Sequence, residues 1–223
     1  MVRRTIKPDW NVLVSEGHLD ISKNDNEKVI GRILTFTDGV FAIAILALLI
    51  DIRLPEGTTT ANLGPSLSAL WPNYLAFFIS FVVIALYWSA HVRLFRQIIR
   101  YDWVLVWLNI VSLLIIVVIP FATTVLSTHF TRLSVLIYAV TIACAGYMNT
   151  IVRAYATRGR RLISDIYSNS YITRGILLSV IAPLGFTIAI GLSFVSTLAA
   201  ELCWITISVV HIAAQRLLRI REQ

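Results

Sequence analysis

The chain has 223 residues, of which 57% are hydrophobic, with a mean hydropathy of +0.79 and a formal net charge of +7. Charged residues make up only 14% of it, against roughly 25% in a typical soluble domain. This composition excludes an ordinary soluble enzyme. At about 20 apolar residues per membrane crossing, the length accommodates about six spans and no separate water-soluble catalytic domain.

Six apolar segments are each long enough to cross a bilayer as a helix. In chain order they cover residues 33–52, 70–90, 103–126, 133–152, 176–194 and 199–218. The first is followed by a stretch rich in Thr, Gly and Pro, which is typical of turns. Residues 1–30 lack the apolar core of a signal peptide. We therefore predict a tail at 1–30 and a membrane domain at 31–223.

The basic residues lie almost entirely on one side of this scheme. Only Arg53 and Arg132 fall in connections on the other side, which leaves 17 of the 19 Lys and Arg residues on the first. The positive-inside rule then places both termini in the cytoplasm. The excess charge is explained by topology, so no nucleic-acid partner is expected. The predicted protein is an all-α, multi-pass integral protein of the cell membrane.

Asp38 is the polar residue that stands out inside the first predicted helix. An ionisable side chain at membrane depth must find partners or face water. We favour a hydrogen-bonded structural role over a role as an ion or proton ligand. Its candidate partners are Arg32, Thr37, Trp88, His91 and Asn109.

An aliphatic stripe occupies another face of the same helix. At 100° per residue, Ile43, Leu46 and Ile50 share one face, and Asp38 lies about 140° from Ile43. Taken alone, such a stripe is typical of contact with lipid or with the protein core. Prolines at positions 120 and 183, in the third and fifth segments, are predicted to kink those helices.

The sequence resembles the transmembrane protein 175 family, the endolysosomal and prokaryotic potassium channels. The resemblance rests on the first-helix run Arg32-x-x-x-Phe36-Thr37-Asp38-Gly39-Val40-Phe41-Ala42 and on two later blocks. These later blocks contain Ser80-Phe81, Tyr87-Trp88 and His91, and then Trp107-Leu108-Asn109 with Pro120-Phe121. Together they cover about the first half of the chain.

The resemblance implies a homotetrameric, potassium-preferring cation channel of the voltage-independent leak type. Helix 1 of each subunit would line the pore, with Ile43 as the constriction and Leu46 and Ile50 as further layers. This hydrophobic gate would take the place of a carbonyl filter, since no Thr-Val-Gly-Tyr-Gly motif is present. The same resemblance implies a structural polar network of Arg32, Thr37, Asp38, Trp88, His91 and Asn109. Permeant potassium ions, other monovalent cations and lipid are the expected partners, without cofactor or metal.

The sequence also bears on ion selectivity and on three functions other than a channel. Leu46 stands where prokaryotic members carry Thr, so the preference for potassium over sodium is not predicted from that layer. A secondary transporter or a non-conducting structural subunit stays open as an alternative. An intramembrane serine protease using Ser193 and His211 is excluded, because the predicted topology separates these residues in depth by roughly 15 to 20 Å. No enzymatic activity is expected.

Overall fold

The structure, a computed structural model, describes residues 10–129 and 131–194, with side chains from residue 25 onward. The described residues form α-helices joined by short loops. The helices are α1 (Trp10–Ile50), α2 (Leu63–Ala69), α3 (Trp71–Phe95), α4 (Trp103–Thr128), α5 (Arg132–Thr157) and α6 (Asn169–Ser193). One turn of 3-10 helix, Arg158–Arg160, follows α5.

Five of these helices are long and apolar enough to cross a membrane. They are α3, α4, α5, α6 and the Asp25–Ile50 part of α1, with the span in α5 extended to Arg160. The first five predicted spans are thereby found as helices, and the sixth, at 199–218, lies outside the described residues. The secondary structure of the described residues is helical, and the protein is an integral membrane protein.

The observed helices extend beyond the predicted spans. Helix α1 begins at Trp10, well inside the segment predicted as a tail, and α6 begins at Asn169 rather than at residue 176. Hydropathy marks where apolar side chains begin, whereas helical hydrogen bonding continues into polar sequence. Helix α2 was not predicted at all. Its Pro65 is its third residue, where a missing N–H costs no intrahelical bond.

Each helix of the described bundle packs against only some of the others. Helix α1 contacts α3 and α4, α4 contacts α5, and α5 contacts α6, while α1 contacts neither α5 nor α6 within the described residues. One buried apolar cluster fills the main bundle and includes Ile84, Ile119 and Ile142. A second includes Leu94 and Leu105. It lies at the end where α3 and α5 finish and α4 and α6 begin, which we call the basic end.

Asp102 joins the loops of the basic end. Its carboxylate accepts hydrogen bonds from the Leu105 N–H (2.8 Å), the Tyr155 hydroxyl (2.6 Å) and Arg161 Nη2 (3.0 Å). It thus caps α4 and anchors the segment that follows α5. Partial desolvation raises the pKa of Asp102, but the hydrogen bonds from Tyr155 and Leu105 and the charge of Arg161 outweigh it and hold this pKa below its ordinary value.

Pro183 breaks the hydrogen bonding of α6 and is compensated by α5. A proline has no N–H, so it leaves the Ser179 carbonyl, four residues earlier, without its helical partner. The Thr150 hydroxyl of α5 donates to that carbonyl at 3.0 Å. Gly146, one turn before Thr150, provides the space for this contact, since a Cβ built there would lie 2.8 Å from Pro183 Cβ.

We predict that Gly146→Ala destabilises the protein by about 1 to 3 kcal/mol, the usual cost of overpacking a close contact. The added methyl group collides with the proline ring, which cannot rotate away. Thermal or denaturant unfolding of the purified protein in detergent measures the effect. Gly191→Ala in α6 is the matched control, because no atom of the described residues lies within 4 Å of a Cβ there. Equal stability of the two variants would contradict the close packing of α5 on α6.

Candidate functional site

Helix α1 has a buried face that repeats with helical spacing. Thr37, Phe41, Ala44 and Leu48 are buried among the described residues. Their intervals of four, three and four residues place them on one side of the helix. This side packs against α3 and α4.

The predicted aliphatic stripe lies on a different face of α1 and points away from the described bundle. Ile43 is 65% exposed, Leu46 55% and Ile50 56%. Phe36, seven residues before Ile43, lies about 20° from it around the helix axis and is also exposed. We did not predict Phe36 as part of this face. Its seven-residue spacing from Ile43 was the signal available in the sequence.

A hydrogen-bonded chain links the buried face of α1 to its two neighbours. Asn109 Nδ2 of α4 donates to Thr37 Oγ1 of α1 at 3.0 Å, and Asn109 Oδ1 lies 2.8 Å from His91 Nε2 of α3. Because the amide oxygen can only accept, His91 carries its proton on Nε2. All three side chains are buried. We call Thr37, Asn109 and His91 the buried polar chain.

Asp38 and Trp88 form a second link between α1 and α3. Trp88 Nε1 donates to Asp38 Oδ1 at 2.7 Å. Both residues are exposed in the described subunit. Of the six residues in the predicted network, four therefore take part in hydrogen bonds that tie α1 to α3 or α4, and a fifth, His91, joins α3 to α4 through Asn109.

The structure does not bring Arg32 into this network. Arg32 is exposed, and its side chain makes no hydrogen bond or ion pair with any residue that the structure describes. Six residues separate it from Asp38, which places the two side chains about 120° apart around α1. Arg32 and Asp38 are thus close in sequence but lie on different faces of α1.

A polar cluster that the sequence did not indicate lies at the opposite end of α1. Thr124 Oγ1 of α4 donates to Asp51 Oδ2 at 2.6 Å, and Asn73 Nδ2 of α3 donates to Ser127 Oγ at 3.3 Å. These four residues line a small cavity. Single hydroxyls and amides inside long apolar runs carry no spacing pattern, so only the packing of the helices reveals them.

Ser193, weighed in the sequence as half of a protease dyad, lies at the end of α6. Its hydroxyl is buried and donates to the Ile190 carbonyl of its own helix at 2.7 Å. His211 lies outside the described residues. The hydroxyl of Ser193 is thus engaged with its own backbone.

The arrangement defines the orientation of α1. Two sets of hydrogen bonds hold one side of this helix against α3 and α4, and the aliphatic stripe projects on another. The stripe lies on the outside of the described residues, and none of the described helices covers it.

Comparisons with known proteins agree with this architecture. The family model described as "Endosomal/lysosomal potassium channel TMEM175" matches residues 32–120. A potassium channel from Chamaesiphon minutus is 33% identical over 193 residues, which cover 82% of this chain and 91% of that protein. A potassium channel from Streptomyces collinus is 30% identical over 179 residues, which cover 77% and 87%.

A solved structure is similar over nearly its whole length. It is the crystal structure of a lysosomal potassium-selective channel TMEM175 homolog from Chamaesiphon minutus, with a TM-score of 0.73 and 27% identity. The match covers 84% of this chain and 98% of that one. The family predicted from the first-helix motif is therefore confirmed, and it is a family of ion channels, not of enzymes. The chain belongs to the TMEM175 family of membrane channels.

Proposed function

We propose that this protein is a potassium-preferring cation channel of the cell membrane, formed by four copies around a pore lined by α1. Both termini would lie in the cytoplasm. Ile43 would form the constriction, with Leu46 and Ile50 as further layers toward the outside. The observation that carries the proposal is the exposed aliphatic stripe on a helix that hydrogen bonds hold at a defined rotation.

The packing of α1 supports this assignment. The helix contacts only α3 and α4 among the described helices, so none of these helices occupies the rest of its surface. The relatives from Chamaesiphon minutus and Streptomyces collinus are both named potassium channels. A helix that only completes the core of one subunit would not be expected to leave an aliphatic face exposed.

The proposed gate works by wetting and dewetting. Four isoleucine side chains converging on an axis exclude water from a narrow passage, and a cation cannot enter without its hydration shell or a substitute for it. A small rotation of α1 would widen and wet this passage. The described spans contain no Arg-rich helix of the kind that senses voltage, in keeping with a voltage-independent leak channel.

A secondary transporter and a non-conducting subunit are the competing functions. A transporter requires a substrate site near mid-membrane, formed by broken helices. In the described part of α1 the helix is continuous from Trp10 to Ile50, and Asp38 is bonded to Trp88. Passive flux, which needs no coupled ion, separates a channel from both alternatives.

We predict that Ile43→Asn raises potassium flux through liposomes that contain the purified protein. A polar side chain at the constriction lowers the cost of wetting it, and a barrier lowered by about 1.4 kcal/mol increases the rate about tenfold. Flux is measured with a potassium gradient and a fluorescent readout. Leu49→Asn is the matched control, since Leu49 is exposed on the same helix about 120° from Ile43.

The outcomes of this experiment discriminate between the functions. Equal flux through both variants would contradict the position of the constriction. No flux through wild type and Ile43→Asn would reject the channel and leave a non-conducting subunit. Flux that requires a second ion would favour a transporter.

We predict separately that Leu46→Thr increases the permeability ratio of potassium to sodium. A hydroxyl can contact a partly dehydrated ion, and a leucine side chain cannot. Reversal potentials under bi-ionic conditions measure this ratio. The effect should be at least about twofold, or about 0.4 kcal/mol. An unchanged ratio would show that this layer does not contribute to selectivity.

We predict that Thr37→Val destabilises the subunit by about 1 to 3 kcal/mol, because it leaves the buried Asn109 amide without its acceptor. Denaturant unfolding measures the loss, and size-exclusion chromatography measures assembly. Thr35→Val is the matched control, since Thr35 is exposed and the bond it makes within the described residues goes to Gly31 of its own helix. If the two variants were equally stable, the buried polar chain would not hold α1 in place.

A further inference from the structure

Arg153 is a buried charged residue that the proposed conduction pathway does not use. It lies in α5, four residues before the end of that helix at Thr157 and therefore about 6 Å inside it. Only 8% of the residue is exposed. Its Nε atom is fully buried and has no hydrogen-bond partner among the described residues.

The guanidinium group of Arg153 reaches from α5 to α6. A Cβ built on Gly175 of α6 would lie 3.1 Å from Arg153 Nη1. Glycine at this position thus leaves the space in which the guanidinium lies. The charge is therefore held in the cleft between the two helices, at the basic end of the bundle.

No carboxylate neutralises this charge in the part of the chain that the structure describes. Arg153 forms no ion pair there, and Asp102, the carboxylate that joins the loops of the basic end, is engaged by Arg161 and Tyr155.

Burial makes a counter-charge necessary. A guanidinium group cannot shed its proton in a protein, and a buried charge without a partner is strongly destabilising. The planar fork of arginine fits phosphate oxygens in a bidentate manner. Basic pockets between helices at the cytoplasmic side of a membrane are suited to anionic lipid head groups.

We propose that Arg153 binds the phosphate of an anionic phospholipid in the cleft between α5 and α6 at the basic end. The lipid supplies the negative charge that no described carboxylate brings to Arg153. The site is distinct from the proposed pore, since α5 and α6 make no contact with α1 within the described residues.

The experiment measures lipid binding to the full-length chain in detergent and does not depend on conduction. Phosphatidylglycerol is titrated against phosphatidylcholine at constant ionic strength, and the midpoint of thermal unfolding is followed. A ligand at a hundredfold excess over its Kd should raise the midpoint of the wild type by about 5 to 10 °C. Phosphatidylcholine should have little effect.

Three variants test the residues of the site. Arg153→Gln should lose the response to phosphatidylglycerol, and Arg153→Lys should bind about tenfold more weakly because it keeps the charge without the fork. Gly175→Ala should also weaken binding, since its methyl group displaces Nη1. Arg158→Gln, an exposed arginine just beyond the end of α5, is the matched control and should respond as the wild type does. Should Arg153→Gln fail to fold, Arg153→Lys and Gly175→Ala provide the same test.

Several results would overturn the proposal. An unchanged response of the Arg153 and Gly175 variants would place the lipid elsewhere. Inorganic phosphate that stabilises the wild type as well as phosphatidylglycerol does would identify a soluble anion as the ligand. Glu222, which the predicted topology places at the same end, could instead supply the charge. In that case Glu222→Gln would lower the midpoint without lipid and Arg153→Gln would add nothing to it.

Discussion

The hydrocarbon core of a membrane offers no hydrogen-bond partners, so a polar side chain held within it must find one in the protein or face water. On α1 this requirement is met by Thr37 and Asp38, which bond to Asn109 of α4 and Trp88 of α3. A helix held by two such links cannot rotate freely about its axis. The face that carries Ile43 is directed outward as a consequence, and the proposed pore depends on that orientation.

The same requirement explains how the bundle tolerates breaks in its helices. Pro183 leaves the Ser179 carbonyl without a partner, and the Thr150 hydroxyl of α5 supplies one across the interface. At the basic end, Asp102 completes the first turn of α4 while joining Tyr155 and Arg161. Helices α4, α5 and α6 thus form a closely fitted unit, and among the described helices α1 packs only against α3 and α4.

The two charges at the basic end differ in how they are balanced. Asp102 is partly exposed and surrounded by donors, so its ionised form is stabilised within the chain. Arg153 is buried, and the described residues provide no acceptor for its Nε atom. A buried charge of this kind needs a counter-charge, which in our proposal an anionic lipid head group supplies.

The sequence by itself determined the membrane class, the first five spans and the family, because hydropathy and a contiguous first-helix motif are local properties of the chain. It also indicated Thr37, Asp38, Trp88, His91 and Asn109 as polar residues needing partners. Only the tertiary structure decided which of them bond to which, that Arg32 stands apart from them, and that Asp51 and Arg153 occupy polar sites of their own. These outcomes depend on the rotation and packing of helices distant in sequence, and no spacing along one helix specifies them.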